Sequence, residues 1–561
     1  MNVLGINAFN HEPSACLIAN GCVAAAVEQE KISRQKDTHG FPAEAISECL
    51  ALAQVDPAEV DLVAISRRHL VEVQSHAWHM LRYFPQSLNL LRADTAALSK
   101  ASKRSRYLEM RPRLRSLLRR NVPIAEFPHH QSHAAAVFFQ SQFEDALVLV
   151  ADGIAEYDTC WLGHLRKDSL RELARVPFPN SFGMIYAAFT DLLGFQSFKD
   201  EWKVMGMAAY GSPRFYEELS GMISVGSDFA VRINPRYFSF PTHGRRQWFG
   251  PAFPFLRLKR APHEEITQEH YDLACSMQSV FEDRMLTLVR SIMTRYALSK
   301  NLCLSGGVFL NCLFNGRLSQ SGLFDNIYVD CNPGDAGAAM GAALLGLGNG
   351  SGLKPLEHSN HLGREYTADQ IRSALQQSGV AFKELQSVDE VACLLNQGKV
   401  VGLAHGRSEY GPRALGARSI LADPRLAHMK DKINSQVKYR EHFRPFAPSV
   451  IESEQHHWFP GNAFSPYMSF AVKALEEKAG QVPAVVHGDG TSRIQTVRKE
   501  TNPFYHELIS SFSKLSGVPM LLNTSFNIRG EPIVYAPSDA IQTFRRAALD
   551  ALVMPPFLAL R

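Results

Sequence analysis

The fold can be inferred from residues 3–28, VLGINAFNHEPSACLIANGCVAAAVE. Three apolar runs separated by short polar stretches predict three strands, and Asn20-Gly21 is the signal of a two-residue hairpin turn. A polar loop, NHEPS, lies between the first two strands. Residues 146–166, ALVLVADGIAEYDTCWLGHLR, repeat this arrangement with a loop that carries Asp152-Gly153. The duplication predicts two similar lobes.

Length and composition indicate a large soluble protein. The 561 residues, of which 45% are hydrophobic and 20% charged, should form about two to four domains. The net charge of +4 is too small in such a chain to indicate nucleic-acid binding. Nine scattered cysteines without a C-x-x-C pair argue against a disulfide framework or a zinc ribbon. We therefore expect a cytoplasmic protein without a membrane span, in which the small-residue run 336–348 forms a buried helix.

A histidine-rich segment, PHHQSHAAAVFF (128–139), predicts a metal site. His129 and His133 are four residues apart in a predicted helix, so their imidazoles should lie on one face. About one such pair arises by chance in a chain of this composition, so further ligands are needed. Asp152 and Asp335 lie in loops that could converge on the pair, although Asp335 also suits a helix N-cap. Two imidazoles and two carboxylates suit Fe(II), Mn(II) or Zn(II).

Two glycine-rich turns follow apolar strands. NLCLSGGVFLNCLFNGRL (301–318) predicts a strand, the turn Ser305-Gly306-Gly307 and a helix, and IYVDCNPGDAGAAMGAA (327–343) repeats this order. Glycines at a helix start let backbone amides approach an anion or a nucleotide. A tight strand-to-helix turn is the alternative interpretation.

The carboxy-terminal part has its own pattern. We predict an amino-terminal domain over residues 1–350, a linker over 351–363 and a second domain over 364–561, which begins with the capped amphipathic helix of YTADQIRSALQQSG. Four loops of this domain mix arginine or lysine with small polar residues, which predicts a pocket for a compact polyanion. Solvated loops are the alternative. These loops span 405–419, 437–449, 490–497 and 521–532.

The order of these motifs resembles the O-carbamoyltransferases of the nodulation-protein and tobramycin-carbamoylating family over essentially the whole chain. The resemblance implies an α/β protein. Its amino-terminal domain would be actin/Hsc70-like and two-lobed, similar to the tRNA-threonylcarbamoyl transferase. A YrdC-like α/β domain, similar to threonylcarbamoyl-adenylate synthase, would follow it.

The resemblance also implies roles for individual residues. A divalent metal, usually Fe(II), would be held by His129, His133, Asp152 and Asp335. Carbamoyl phosphate and ATP, the latter with Mg(II), would bind Arg413, Lys438, Arg444, Arg493, Asn523 and Ser525. Nucleotide contacts in the amino-terminal domain would come from Lys203, Gly206, Gly306, Gly307, Asn311 and Gly334. His11 would act as the base and Lys36 would orient the acceptor, while a backbone hydrogen bond and a solvated lysine are their structural alternatives.

The implied function is ATP-dependent transfer of a carbamoyl group, by way of carbamoyl adenylate, to a hydroxyl of a small natural-product acceptor. We expect a monomer or homodimer that binds neither nucleic acid nor membrane. A tRNA threonylcarbamoyl-type enzyme and an actin-superfamily ATPase are the rival functions. The arginine-rich segment 91–121 is expected to be a helical insertion, and the aromatics of 245–262 are expected to pin a loop to a core.

Overall fold

A computed structural model describes residues 1–91, 108–167, 169–348, 352–461 and 464–561. Up to residue 348 the chain is built on two five-stranded sheets and one small hairpin. The strands are β1 (Val3–Asn7), β2 (Ser14–Ala19), β3 (Cys22–Glu28), β4 (Leu62–Ile65), β5 (Ile124–Glu126), β6 (Asp145–Ala155), β7 (Asp158–Arg166), β8 (Ser169–Pro177), β9 (Ile223–Val225), β10 (Val231–Ile233), β11 (Asn301–Ser305) and β12 (Asn326–Val329).

The two larger sheets have the same topology. Their orders are β3-β2-β1-β4-β5 and β8-β7-β6-β11-β12. In each, the first three strands form an antiparallel meander, and two later strands add in parallel to its first strand. Asn20 and Gly21 turn between β2 and β3 with φ values of 53° and 71°, as the hairpin signal predicts. The predicted two-lobed α/β architecture is therefore confirmed.

Helices pack on these sheets and carry the site residues. The predicted buried small-residue helix is confirmed as Ala338–Gly346, which packs on His129–Ser141. A Cβ on Gly341 would lie 1.6 Å from the carbonyl oxygen of Ser132, so only glycine permits this close approach. In the described residues up to 348, the other α-helices of five or more residues are Gln29–Ser33, Ala43–Ala53, His69–Arg82, Met110–Leu118, Phe182–Leu192, Glu201–Ala208, Tyr216–Ser220, Gln268–Arg295 and Cys312–Ser319.

The carboxy-terminal part forms a mixed nine-stranded sheet flanked by helices, which confirms the predicted second α/β unit. The strand order is β13-β21-β20-β14-β15-β19-β16-β18-β17. These strands are β13 (Lys383–Glu384), β14 (Val401–Ala404), β15 (Arg418–Ala422), β16 (Ala447–Ile451), β17 (Phe470–Lys473), β18 (Thr491–Val497), β19 (Met520–Ser525), β20 (Ala551–Met554) and β21 (Phe557–Leu560). Its main helices are Ala368–Ser378, Val388–Asn396, Pro503–Ser516 and Pro537–Arg546. The exact domain boundaries stay a prediction.

The two units share a buried interface. Lys31 donates from Nζ to the carbonyl oxygens of Glu409 and Gly411, at 2.7 and 2.9 Å, and Glu28 accepts from the Gly411 amide at 2.6 Å. At another point Asn315 donates to the carbonyl oxygen of Ser469 at 3.0 Å. Because Lys31 and Glu28 are themselves paired at 2.9 Å and buried, the interface fixes one unit against the other.

Two predicted surface segments have mixed outcomes. In the segment 91–121, the helix Met110–Leu118 is present, and residues 92–107 lie outside the described residues. The aromatic side chains of 245–262 are buried in the core of the second lobe, as expected of a loop pinned by aromatics; they are Trp248, Phe249, Phe253 and Phe255.

Candidate active site

The structure brings together the four predicted metal ligands, hereafter the His/Asp cluster (His129, His133, Asp152 and Asp335). The Nε2 atoms of His129 and His133 are 3.1 Å apart. Oδ1 of Asp335 lies 3.4 Å from His129 Nε2, and Oδ2 of Asp152 lies 3.7 Å from His133 Nε2. The ligand atoms of His129, His133 and Asp335 all fall within 4.8 Å of one another, so these three form the compact part of the cluster.

Hydrogen bonds at the far side of each imidazole fit the cluster to a cation. His129 donates from Nδ1 to the carbonyl oxygen of Ser66 at 3.0 Å. The hydroxyl of Ser305 donates to Asp330 at 3.2 Å and therefore accepts from Nδ1 of His133, also at 3.2 Å. With both protons on Nδ1, the two Nε2 lone pairs would be available to one shared cation. Without one, Asp335 raises the pKa of His129 against the effect of burial, so a proton on Nε2 of His129 can take the place of the cation.

The electrostatics of the cluster agree with that interpretation. Burial lowers the pKa of His133 to about 4. Although burial opposes the shift, His133 and His130 lower the pKa of Asp152 to about 2. Burial also opposes the shift at Asp335, where His129 nevertheless holds the pKa of the carboxyl well below its usual range. Oδ2 of Asp152 is buried and faces Nε2 of His130 at 3.4 Å and Nε2 of His133 at 3.7 Å, so it lies among imidazole nitrogens on the side of the cluster.

One expectation about Asp335 is wrong. Gly334, not Asp335, occupies the N-cap of the short 3-10 helix Asp335–Gly337, and the Asp335 carboxylate faces His129 instead. Asn10 donates from Nδ2 to Oδ2 of Asp335 at 3.3 Å. The carboxylate is therefore oriented by His129 and Asn10 rather than spent on helix capping.

The first glycine turn holds a cluster residue. Gly306 has φ of 95°, and a Cβ there would lie 2.3 Å from the carbonyl oxygen of Ala151, so the turn requires glycine. The Gly307 amide donates to Oδ1 of Asp152 at 2.5 Å. The amide predicted to face a ligand thus fixes the orientation of a cluster carboxylate.

The other predicted nucleotide contacts lie in two places. Asn311 caps the helix Cys312–Ser319 through the Phe314 amide and exchanges hydrogen bonds with Gln278. Lys203 contacts Asp200 at 3.1 Å and Glu441 of the carboxy-terminal unit at 3.4 Å. Gly206 also faces that unit, and Gly334 faces the carboxylate of Glu12. The nucleotide-binding role of these residues stays a prediction.

The predicted base lies near the cluster, in the loop whose Asn10 contacts Asp335. His11 stacks on Phe198 with ring centroids 5.8 Å apart, and His39 meets its edge at 4.9 Å. Its loop is anchored by Asn7, which donates to the His11 carbonyl oxygen at 2.8 Å. Lys36 is exposed, and it lies close enough to Lys438 of the carboxy-terminal unit to help lower the pKa of Lys438, which burial lowers most. Lys36 therefore lies near the second unit.

Five cations of the carboxy-terminal unit form a second cluster, hereafter the basic cluster (Arg413, Lys438, Arg440, Arg444 and Arg493). Burial and Arg493 lower the pKa of Arg413 to about 9. Burial lowers that of Arg444 to about 10, and Arg493 adds to the shift. In the described residues, the side chains of Arg413 and Arg493 form no hydrogen bond or ion pair. Only Arg444 of the five has an ion-pair contact among the described residues, with Glu441 at 3.8 Å, and such an excess of crowded cations is typical of a site for a polyanion.

The remaining predicted carboxy-terminal residues support this cluster. Lys438 donates to Ser525 through both the carbonyl oxygen and Oγ, at 2.6 and 3.1 Å, and burial lowers its pKa. Asn523 is buried and donates to the Ala414 carbonyl oxygen at 3.1 Å, which fixes the loop that carries Arg413.

Sequence reasoning missed several residues of these two clusters. Ser305 and Asp330 end neighbouring parallel strands, and Asn10 lies in the first polar loop. Arg440 lies in the predicted loop 437–449 between Lys438 and Arg444. These residues could have been found from their positions, because they lie at strand ends or in loops that the sequence had already marked as functional. Ligands often bind at the carboxyl ends of parallel strands.

Comparison with known proteins gives the family. The model of the carbamoyltransferase amino terminus matches residues 2–344, and that of the carbamoyltransferase carboxy terminus matches residues 392–561. The nodulation protein NolNO of Sinorhizobium fredii is 36% identical over 98% of this chain and 79% of its own length. The nodulation protein NolO of Bradyrhizobium diazoefficiens is 38% identical over 77% of this chain and 78% of its own length.

Solved structures overlap only loosely. Component A of the (R)-2-hydroxyglutaryl-CoA dehydratase of Acidaminococcus fermentans covers 62% of this chain and 97% of its own at 14% identity, with a TM-score of 0.33. The HypF structure from T. kodakarensis covers 64% and 48% at 14% identity, with a TM-score of 0.31. Scores this low support no argument.

Among the helices of the described ranges, none combines the length and the apolar character of a membrane span. The two family matches show that the chain belongs to the carbamoyltransferase family and is a carbamoyltransferase.

Proposed function

We propose that this carbamoyltransferase converts carbamoyl phosphate, ATP and water into carbamoyl adenylate, phosphate and pyrophosphate at the basic cluster. The carbamoyl group then passes to a hydroxyl of a small natural-product acceptor at the His/Asp cluster. The observation that carries the proposal is the basic cluster itself. Its pKa values are lowered by burial and mutual repulsion, and an anion with several negative charges relieves both.

The different chemistry of the two clusters supports one step for each. The basic cluster would hold phosphates through planar guanidinium groups, which match phosphate oxygens in pairs. The His/Asp cluster offers imidazole nitrogens and carboxylates and would hold a divalent cation such as Fe(II), Mn(II) or Zn(II). When bound, such a cation would neutralise the developing charge on the adenylate leaving group.

The acceptor step needs a base near the cluster. His11 lies close enough to Asp335 to influence the pKa of that carboxyl. A neutral imidazole there can take the proton of the attacking hydroxyl. The hydroxyl oxygen then bonds to the carbamoyl carbon as the bond from that carbon to the AMP phosphate breaks and AMP is released. Asn10 links the same loop to Asp335, so the base and the cluster are held in one geometry.

The donor chemistry is tested without an acceptor. Purified, metal-loaded protein is incubated with ATP and carbamoyl phosphate, and mass spectrometry follows carbamoyl adenylate while a coupled assay follows pyrophosphate. We expect adenylate only when carbamoyl phosphate is present, and its loss in Arg493→Ala. Arg498→Ala is the matched control, because Arg498 pairs with Glu452 at 2.6 Å outside the cluster. ATP hydrolysis indifferent to carbamoyl phosphate would contradict the proposal.

A further inference from the structure

One side of the basic cluster is formed by the amino-terminal unit. The helix Glu201–Ala208 lies against the loop that carries Arg444. The guanidinium carbon of Arg444 is 3.8 Å from the centroid of the Trp202 ring, and the Trp202 indole is fixed by its hydrogen bond to the Lys199 carbonyl oxygen at 3.0 Å. A Cβ on Gly206 of the same helix would lie 3.7 Å from Pro445, so the two segments are in close contact.

Arg444 needs such support because its side chain is 21% exposed, which would let it turn towards solvent. Burial lowers its pKa, the carboxylates of Glu441 and Asp200 oppose that shift, and Arg493 and Arg529 add to it. Its nearest carboxylate, Glu441, lies 3.8 Å away and is shared with Lys203 at 3.4 Å.

An aromatic support differs from a carboxylate in what it leaves available. The face of an indole attracts a guanidinium without cancelling its charge. It also contacts the plane of the group, so the N–H donors at the edge remain directed at a ligand. A carboxylate in this place would compete with the phosphate for both the charge and the donors.

We propose that Trp202 is a positioning residue for the phosphate-binding site of the carboxy-terminal unit, acting through Arg444. The site is then complete only when both units are present, and Lys203 contributes by holding Glu441. This inference rests on the proposed function for the identity of the phosphate compound, carbamoyl phosphate. The binding of phosphate itself is inferred independently of the proposed function.

The test compares the full-length wild type with Trp202→Leu and Trp202→Phe. Carbamoyl-phosphate-dependent pyrophosphate release gives KM and kcat, and calorimetric titration with inorganic phosphate gives the affinity without any chemistry. We expect Trp202→Leu to raise both the KM for carbamoyl phosphate and the Kd for phosphate about tenfold. The kcat should change by less than about twofold, and Trp202→Phe should restore most of the affinity because its ring keeps a face.

Two controls separate positioning from general damage. Trp78→Leu removes a tryptophan that is 60% exposed and should leave both constants at the wild-type values. If Trp202 acts through Arg444, the double variant Trp202→Leu/Arg444→Ala should bind phosphate no more weakly than Arg444→Ala alone. Wild-type phosphate affinity in Trp202→Leu, or fully multiplicative losses in the double variant, would overturn the inference. Normal phosphate binding by the wild type without carbamoyl-phosphate-dependent turnover would instead overturn the proposed function.

Discussion

Ser305→Ala tests the interpretation of the His/Asp cluster as a metal site. The Ser305 hydroxyl joins Nδ1 of His133 to Oδ2 of Asp330, with both distances at 3.2 Å, and all three side chains are buried. The substitution removes one oxygen atom and leaves two buried polar atoms without this partner. It touches neither a proposed ligand atom nor the backbone of the glycine turn.

The expected magnitude follows from these contacts. Loss of the group that orients a metal-binding imidazole weakens metal affinity about 10- to 100-fold, or about 1.4 to 2.7 kcal/mol. A buried polar atom left unsatisfied costs about 1 to 3 kcal/mol of unfolding free energy. The metal-free variant should therefore unfold at lower urea concentration than the wild type, and metal should protect it less.

The assay measures the two effects separately. Anaerobic competition with a chromophoric chelator gives the affinity for Fe(II), Mn(II) and Zn(II), and urea unfolding of the metal-free protein gives the stability. Ser291→Ala is the matched control, since Ser291 is also buried and donates to the Leu288 carbonyl oxygen within a helix. Wild-type metal affinity in Ser305→Ala would refute the reasoning that the Nδ1 hydrogen bond directs the Nε2 lone pair into the site.

Three further outcomes follow from the structure. His11→Asn should lower the rate of hydroxyl carbamoylation by a factor of about 10² to 10⁴, while the rate of carbamoyl-phosphate-dependent pyrophosphate release stays within about twofold of the wild-type rate. Equal loss of both rates would exclude a role of His11 confined to the acceptor step. Burial raises the pKa of Asp330 to about 8, so its contribution to stability is present below about pH 4 and is lost as pH rises towards 8. Urea unfolding of the metal-free protein should therefore show Asp330→Asn gaining stability relative to wild type between pH 5 and pH 8, and a difference independent of pH would count against it. Gly306→Ala should cost more than about 2 kcal/mol of unfolding free energy because its Cβ would collide with the Ala151 carbonyl oxygen. The control Gly322→Ala, at a φ of 68° in open space, should cost about 1 kcal/mol. Equal losses in the two variants would contradict the close-approach argument.

Much of the fold was determined by local sequence, because the responsible forces act over a few residues. Asn20-Gly21 adopts the positive φ values that a two-residue hairpin needs. Thr367 and Gln370 form a capping box at the start of Ala368–Ser378, and Gly379 ends that helix with φ of 69°. Helical periodicity alone places His129 and His133 on one face.

Tertiary structure decided the composition of the sites, because their parts come from distant segments. Packing of two helices through Gly341 sets where Asp335 lies relative to His129. The Gly307 amide donates to Asp152, a contact that depends on how close the two strands approach, and its predicted nucleotide contact stays a prediction. The stacking of Trp202 on Arg444 joins residues of different units, and no periodicity or cap relates them. Sequence therefore specified the elements and the chemistry of the candidate residues, whereas packing between elements specified which of them meet.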